Sequence, residues 1–539
     1  MMNIIKKYNK NYTQYDDRIC LIYNIKIKNK NSMGACCIRE NNVIKISQSK
    51  KEQRGKIKST RSSIYQINKE DINDVYDFCG KISSGYYGTV VKACFKNDPS
   101  KFYAVKSIAK SNLSQKNLKN LICEIQLLAK LDHPNIVKYY ETYDDEKYFH
   151  VVMEYCQGSE LFERIVKKKK TSEKDAAEIL FKLTHAISHC HSRGIVHRDM
   201  KAENVLFETK SENKNDVKII DFGLARKRID HNLHSIVGTP SYVAPEVLEG
   251  TYDRKCDIWA LGVLMYVMLY KKYPFDDENK PILFEKIRKA EPKYEGRNLS
   301  SEALDLLHQL LSKDPVKRPE ATTMLDHPWF TIQLKDEFKD SIKDLEIIPR
   351  LKSFKTPNAF IKKILGFLVK EVTSPEVDEF KNKFYILDEK KNGIVDMNKY
   401  QSHIDPSYLN SMNTINDKKG TEADSNEKIF DDCVLNKFIK SDPPPSTEQN
   451  GKMDYTSFMV ANMKYKNLIT KDTIKTLFNR FDIENNGYLT VSVFHRSLRR
   501  TGKQISELDT ESMLKDAGFI NPDHITYEEF LKIIGDFLW

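Results

Sequence analysis

Apolar and polar positions follow a strand period near residue 90 and a helical period further along the chain. Val90–Phe95 and Phe102–Lys106 are rich in β-branched and aromatic residues and are separated by turn residues at 97–99, so we predict a β-hairpin. From Leu118 to Leu131, apolar residues recur at the i, i+3, i+4 spacing of an amphipathic helix. Glu124 lies near the centre of that helix.

The same periods predict the rest of the first half of the chain. Helical patterns near residues 174–193, 257–270 and 301–312 alternate with short strands such as Phe149–Met153. The predicted fold class is α+β, with a strand-rich front and a helix-rich back. The longest uncharged apolar run, Ile258–Tyr270, has 13 residues and is shorter than the ~18 to 20 that a transmembrane helix needs.

Composition narrows the class of protein. The chain has 539 residues, of which 40% are hydrophobic and 30% charged, which is typical of a globular protein with several domains. The ten cysteines form no C-x-x-C pair, so neither a disulfide framework nor a zinc site is indicated. A reducing cytoplasmic location fits this pattern, and the apolar stretch Ile19–Tyr23 is too short for a secretory signal.

Positive charge is concentrated at the N-terminus. Residues 1–74 carry sixteen Lys and Arg against seven Asp and Glu, and the whole chain has a net charge of +11. We interpret residues 1–75 as a basic, disordered tail, either solvated or bound to an anionic membrane surface. Nucleic acid is not an expected partner because no groove-reading motif accompanies the charge.

Met33-Gly34-Ala35-Cys36-Cys37 resembles a myristoylation start followed by palmitoylation sites. A lipid chain together with the basic residues would suffice for stable membrane anchoring. Ile38 departs from the motif, which wants Ser or Thr there, and Gly34 is internal if translation begins at Met1.

The most specific signals are five short motifs in a fixed order. They are the glycine-containing turn 82–90, Ala104-Val105-Lys106, the segment 197–204 (His-Arg-Asp-Met-Lys-Ala-Glu-Asn), Asp221-Phe222-Gly223 and Ala244-Pro245-Glu246. Together they resemble the protein kinases over residues 76–330, and imply a two-lobed kinase fold that uses Mg²⁺-ATP.

By this resemblance, a set of residues would line the ATP site: Ile82, Ser83, Gly85, Gly88, Val90, Ala104, Lys106, Glu124, Met153, Glu154, Cys156 and Glu160. Asp199 would orient the substrate hydroxyl, and Lys201 would neutralise the transferring phosphoryl group. Asn204 and Asp221 would ligate Mg²⁺. Ser83 replaces the first glycine of the loop, which leaves a pseudokinase or adaptor scaffold as an alternative.

Substrate preference also follows from the resemblance. Lys201, with the segment 238–242 (Gly-Thr-Pro-Ser-Tyr), is similar to kinases that phosphorylate Ser or Thr of proteins. Glu160 and Glu203 would line the substrate side of the cleft, so we expect basic residues near the acceptor. Ser235 is either an activating phosphosite opposite Arg198 or an ordinary loop serine.

Three further residues are structural candidates rather than catalytic ones. In the family, an aspartate like Asp257 braces the catalytic loop, and an arginine like Arg318 pairs with the glutamate of Ala-Pro-Glu, here Glu246.

The C-terminal part consists of a junction and four repeats. Residues 331–375 form a basic junction or autoinhibitory region, and its apolar stripe predicts a helix that needs a hydrophobic groove. The repeats resemble EF-hand loops beginning at Asp388, Ser446, Asp482 and Gly518, in an all-α, calmodulin-like domain. We predict an N-lobe over 376–465, with an insertion near 406–427, and a C-lobe over 466–539. This architecture resembles the calcium-dependent protein kinases of plants and protists.

The calcium ligands are degenerate. Loop one has Lys390 and Lys399 at positions 3 and 12, while loops two and four lack acidic residues at most ligand positions. Loop three keeps a partial ligand set but has Val493 in place of the bidentate glutamate; the set is Asp482, Glu484, Asn486 and Tyr488. Calcium binding weaker than the ~10⁻⁷ to 10⁻⁵ M range of sensors is therefore predicted. The alternative is an ordinary calcium-activated kinase. We expect a monomer.

Overall fold

The structure, a computed structural model, describes residues 71–85, 88–96, 98–112, 115–168, 171–223, 225–227, 239–250, 252–335, 358–371, 375–397, 452–465, 469–482, 485–500 and 506–538. The strands are β1 (Tyr76–Gly85), β2 (Gly88–Phe95), β3 (Asp98–Ala109), β4 (Tyr139–Asp144), β5 (Tyr148–Glu154), β6 (Ile195–Val196), β7 (Val205–Phe207), β8 (Val217–Ile219), β9 (Arg226–Lys227), β10 (Ile394–Asp396), β11 (Lys452–Asp454), β12 (Tyr488–Leu489) and β13 (Ile525–Thr526).

The helices up to residue 333 are α1 (Ile72–Val75), α2 (Gln115–Leu128), α3 (Leu161–Lys167), α4 (Glu173–Ser192), α5 (Pro245–Glu249), α6 (Lys255–Tyr270), α7 (Lys280–Lys289), α8 (Ser301–Leu310), α9 (Ala321–Met324) and α10 (Pro328–Gln333). Those that follow are α11 (Ala359–Glu371), α12 (Pro375–Leu387), α13 (Tyr455–Tyr465), α14 (Lys471–Phe481), α15 (Val491–Arg500), α16 (Glu507–Asp516) and α17 (Tyr527–Leu538).

An antiparallel sheet in the order β1-β2-β3-β5-β4 forms the strand-rich front, as predicted. The predicted turn over 97–99 is too long, because β3 already begins at Asp98, which pairs with Phe95. Pro99 has no N–H to donate, and it lies where the register between β2 and β3 shifts. The tail prediction also ends too late. Helix α1 begins at Ile72 because the Asp71 side chain caps its first turn, and Ile72 and Val75 are buried in the core of the sheet.

The apolar run at 258–270 is a buried helix. It lies within α6, whose residues from Cys256 to Leu269 are all buried in the helix-rich core. Among the described residues, no helix has the length and apolar character needed to cross a bilayer.

A second core lies in the C-terminal half, and it contains the junction helix. The predicted apolar stripe is on α11, and its members are at most 3% exposed: Ile361, Ile364, Leu365 and Leu368. They belong to the same buried cluster as Phe384, Phe478 and Phe530. The groove that the stripe requires is therefore supplied by the helices that follow it.

Strand pairs join the EF-like loops two by two. Val395 in β10 pairs with Met453 in β11, and Leu489 in β12 pairs with Ile525 in β13. Counted from the loop starts given above, each of these residues is the eighth of its loop. The predicted loop alignment is thus consistent with the register of both pairs. The insertion at 406–427 and the segment Met33–Cys37 lie outside the described residues.

Candidate active site and calcium loops

The loop that carries His197, Arg198 and Asp199 is held by a buried carboxylate on helix α6. Asp257 accepts hydrogen bonds from the backbone N–H groups of His197 (2.9 Å) and Arg198 (2.8 Å). Arg198 has a φ of 70°, which is uncommon for a residue with a side chain, and these bonds stabilise it there. Asp257 therefore braces the loop, as the family resemblance implies.

Three side chains surround the carboxylate of Asp199. The Asn204 amide nitrogen donates to the backbone oxygen of Asp199 (2.8 Å) and to Asp199 Oδ2 (3.0 Å). Lys201 Nζ lies 3.2 Å from the same Oδ2. The Thr239 hydroxyl donates to Asp199 Oδ1 (3.3 Å) and accepts from Lys201 Nζ (3.1 Å). The sequence motifs did not identify Thr239 as a site residue, although it lies in the segment 238–242 that indicated phosphorylation of Ser or Thr.

Lys106 lies between two carboxylates. Its Nζ is 3.2 Å from Glu124 Oε1 and 3.6 Å from Asp221 Oδ1. Burial disfavours the charged ammonium, but Asp221 and Glu124 outweigh that effect and raise the pKa of Lys106. Burial likewise opposes the charge of Asp221, yet Lys106 and the Gly223 N–H lower the pKa of Asp221. Both groups are ionised at neutral pH.

A backbone hydrogen bond joins these two groups of residues. The N–H of Ile220, which precedes Asp221, donates to the carbonyl of Asn204 at 3.0 Å. The four predicted residues Lys106, Asp199, Asn204 and Asp221 are thereby linked through a short set of contacts.

The donor set fits Mg²⁺ held together with a nucleotide. Because the Asn204 nitrogen donates to Asp199, its amide oxygen is the atom left for a cation, and the Asp221 carboxylate is the second candidate ligand. The described residues contain no cluster of three or more His, Cys, Asp and Glu side chains that would hold a metal alone. Mg²⁺ commonly takes one or two protein ligands and completes its shell with phosphate oxygens and water.

The glycine-containing turn closes strands β1 and β2. Ser83 pairs with Val90, and Gly85 pairs with Gly88. A Cβ on Gly88 would lie 2.2 Å from the Ser107 carbonyl oxygen, so this position requires glycine. Ser83 is not among the described non-glycine residues with positive φ, so its side chain costs no backbone strain. Ile82 lies at a register shift and is 47% exposed.

The predicted hinge follows strand β5. Met153 pairs with Ala104 across the sheet, and Met153 and Cys156 are buried. The Glu154 side chain faces Lys218, with Oε1 and Nζ 3.1 Å apart. Glu160 is the residue before helix α3, and its backbone bridges to Leu206.

Two charged residues assigned from the sequence to the substrate side of the cleft and to the phosphosite, Glu203 and Arg198, have different surroundings. Glu203 Oε2 is buried and has no hydrogen-bond partner among the residues that the structure describes, and burial raises the pKa of Glu203. Arg198 Nη1 donates to the Tyr252 hydroxyl at 3.1 Å. Ser235, the predicted phosphosite, lies outside the described residues. Glu246 and Arg318 form a buried bidentate pair at 2.6 and 2.8 Å.

Loop one holds an ammonium group and contacts helix α4. Lys390 Nζ, at position 3, is 3.7 Å from Asp396 Oδ2, at position 9. The Asp388 carboxylate accepts from the backbone N–H of Asn392 (3.1 Å) and Gly393 (2.6 Å). On α4, His189 Nδ1 lies 3.1 Å from the Asn392 carbonyl oxygen, and Arg193, just after the helix, donates to the same oxygen from Nη1 at 3.0 Å. Loop one is therefore held by contacts among its own residues, and it packs against the kinase part of the chain.

Loop three keeps the same carboxylate contacts but not the last ligand. Asp482 accepts from the N–H groups of Asn486 (2.9 Å) and Gly487 (2.7 Å). Tyr488 lies in β12, and Glu484 is outside the described residues. Val493, at the twelfth position, is 8% exposed and belongs to the second core. In loop four, Glu529 Oε2 accepts from the Thr526 N–H at 3.1 Å.

Comparison with known proteins agrees with this geometry. The chain matches the protein kinase domain family over residues 76–330 and the EF-hand domain pair family over residues 449–501. The chain is therefore a protein kinase followed by an EF-hand domain, the α+β architecture predicted from the sequence.

Similar full-length proteins define the family. Calcium-dependent protein kinase 5 of Plasmodium falciparum (isolate 3D7) is 31% identical over 487 residues, 88% of this chain and 81% of that protein. Calcium-dependent protein kinase 9 of Arabidopsis thaliana is 30% identical over 479 residues, 88% of this chain and 84% of that protein. The chain belongs to the calcium-dependent protein kinase family and is a serine/threonine protein kinase that uses ATP and Mg²⁺. Its substrates are proteins.

Proposed function

We propose that this kinase transfers the γ-phosphate of Mg²⁺-ATP with the residues predicted from its motifs, and that its calcium sensing is weakened or lost. Asp199 orients the substrate hydroxyl, and Lys201 neutralises the charge that develops on the phosphoryl group. Asn204 and Asp221 hold Mg²⁺, while Lys106, kept in place by Glu124, contacts the α- and β-phosphates. The contacts of Thr239 with both Asp199 and Lys201 support a third role, in positioning that pair.

The proposed adenine site is the hinge, where Met153, Glu154 and Cys156 follow one another at the end of β5. Glu160 would meet the ribose or a basic substrate side chain. The buried, unpartnered oxygen of Glu203 supports selection of substrates with Arg or Lys near the acceptor, because such a cation would satisfy it.

The observation that carries the calcium proposal is the state of loops one and three. An ammonium group stands at a ligand position of loop one, and a cation there repels Ca²⁺. In loop three the bidentate ligand is replaced by a buried valine, which removes two of the ~6 to 8 oxygens and one charge. The apolar stripe of α11 is packed into the second core, and this apolar burial supports the proposal that the EF-hand domain folds without calcium.

Membrane association is proposed on the sequence alone. The basic tail and the Met33–Cys37 motif support binding to anionic lipid, and mass spectrometry of the N-terminus tests acylation directly. An intact residue 1 would end the acylation hypothesis.

The calcium proposal is tested by titrating Ca²⁺ into the full-length chain in a calorimeter. We expect any binding to be weaker than the ~10⁻⁷ to 10⁻⁵ M range of sensors. The variant Val493→Glu, which restores the twelfth ligand of loop three, should bind more tightly than the natural chain. Micromolar binding by the natural chain would instead make it an ordinary calcium-activated kinase.

A further inference from the structure

Four charged side chains of alternating sign connect the EF-hand domain with the hinge of the kinase domain. They are, in order, Lys381 on α12, Glu208 after β7, Lys218 on β8 and Glu154 at the end of β5. Each of them is mostly or fully buried, so these charges interact in a poorly solvated environment.

At the hinge end, both oxygens of Glu154 are engaged. Oε1 is 3.1 Å from Lys218 Nζ, and Oε2 accepts from the backbone N–H of Lys138 at 3.1 Å. Lys218 also donates to the carbonyl of Pro134 at 3.0 Å, and its side chain is only 1% exposed. The hinge carboxylate therefore has a fixed position that depends on a fully buried cation.

Glu208 directly follows Phe207, which pairs with Val217 next to Lys218, and Glu208 is also tied to the hinge through its backbone. Its carbonyl accepts from the N–H of Gln157, the residue after Cys156, at 3.0 Å. The next N–H, that of Gly158, donates to Phe207 at 3.0 Å. Burial opposes the charge of Glu208, but the nearby Lys218 and Lys381 outweigh it and lower the pKa of Glu208. Glu208 is thus coupled electrostatically to Lys218 and by a hydrogen bond to the hinge backbone.

Lys381 brings the EF-hand domain into this cluster. Its Nζ is 2.8 Å from Glu208 Oε2 and 3.3 Å from Asp378 Oδ1, and its side chain is 10% exposed. Removing one member of a buried ion cluster leaves its partner uncompensated, which makes the partner shift or seek another charge. Without Lys381, Glu208 would compete with Glu154 for Lys218.

We propose that Lys381 of the EF-hand domain is a positioning residue for nucleotide binding, acting through Glu208 and Lys218 on the hinge carboxylate Glu154. The inference goes beyond the proposed function and rests on its placement of adenine at the hinge. It assigns to the docked EF-hand domain an effect on ATP affinity that requires no calcium.

The test compares two Lys→Met variants of the full-length chain. Lys381→Met should weaken the binding of Mg²⁺-ADP, measured by calorimetry, and raise the KM for ATP by about two- to thirtyfold, while the KM for a peptide substrate stays unchanged. Lys381→Arg should restore the affinity because it restores the charge. The matched control is Lys214→Met, which removes a more exposed ion pair to Asp378 on the same helix (2.6 Å, Lys214 49% exposed) and should bind nucleotide like the natural chain.

A second variant covers poor folding of the first. Lys381→Gln removes the same charge but keeps a polar side chain, and it should also weaken Mg²⁺-ADP binding. Unchanged nucleotide affinity in Lys381→Met, or in Lys381→Gln if the former does not fold, would overturn the proposal, as would an equal loss in Lys214→Met. Failure of the natural chain to bind Mg²⁺-ADP would instead refute the proposed nucleotide site itself.

Discussion

At the scale of single residues, Lys106 combines two functions in one set of contacts. Its ammonium pairs with Glu124 and Asp221, and in the proposed function the same charge contacts the phosphate oxygens. On the substrate side, the Thr239 hydroxyl likewise makes two contacts, since it hydrogen-bonds to both Asp199 and Lys201. Sequence motifs identified the charged residues, whose spacing is distinctive, but a threonine in a turn carries no comparable signal.

Lys106→Met should lower kcat for peptide phosphorylation by about 10²- to 10³-fold, since the phosphates lose a positioned charge. The control is Lys289→Met, which removes an ammonium paired with Glu285 at 3.2 Å on an exposed helix face and should leave kcat unchanged. Thermal unfolding of both variants shows whether the fold is retained. Comparable activity of the two variants would contradict the proposed role of Lys106.

At the scale of elements, the hairpin, the long helices and the apolar stripe of α11 were predictable because each follows a local period. The docking of loop one on α4 was not, because it depends on which surfaces meet in three dimensions. The short helix α1 was missed for a related reason. Its four residues are too few to show a helical period. Ile72 and Val75 are recognisable as core residues only from their packing with Tyr76 in the sheet core.

Two glycines at the sixth position of their loops provide a test of that docking. Gly393 and Gly487 have φ values of +78° and +80°, so alanine at either position costs ~1 to 2 kcal/mol. A Cβ on Gly393 would also lie 1.9 Å from His189 Nδ1, whereas one on Gly487 would meet nothing within 4 Å. Gly393→Ala should therefore reduce the free energy of unfolding by a further ~1 to 3 kcal/mol. Urea unfolding measures this difference, and equal losses would mean that loop one does not rest on α4.

At the scale of the whole molecule, buried histidines lie where the two domains meet. His185 packs against Tyr385 of α12, with ring centroids 5.0 Å apart. Burial, with the Lys391 ammonium nearby, lowers the pKa of His185 to about 3. Its pKa in the unfolded chain is about 6.5, so between these values the unfolded state binds more protons than the folded state. The stability that His185 contributes is complete above about pH 6.5 and is lost as the pH falls towards 3.

The free energy of unfolding should accordingly fall by ~1.4 kcal/mol for each pH unit below 6.5 on account of His185. Urea unfolding of the natural chain and of His185→Gln at pH 6.5 and 5.5 isolates this part, because carboxylate effects are common to both chains. Identical pH dependence in the two chains would show that His185 is not held neutral at the interface.

The central claim is that the convergent site catalyses phosphotransfer while the EF-hand domain stays docked without calcium. The most direct test measures phosphate transfer from Mg²⁺-ATP to a basic Ser/Thr peptide by the full-length chain, once with calcium and once with a calcium chelator. We predict equal rates in both conditions. Transfer that requires calcium, or no transfer in either condition, would contradict the account.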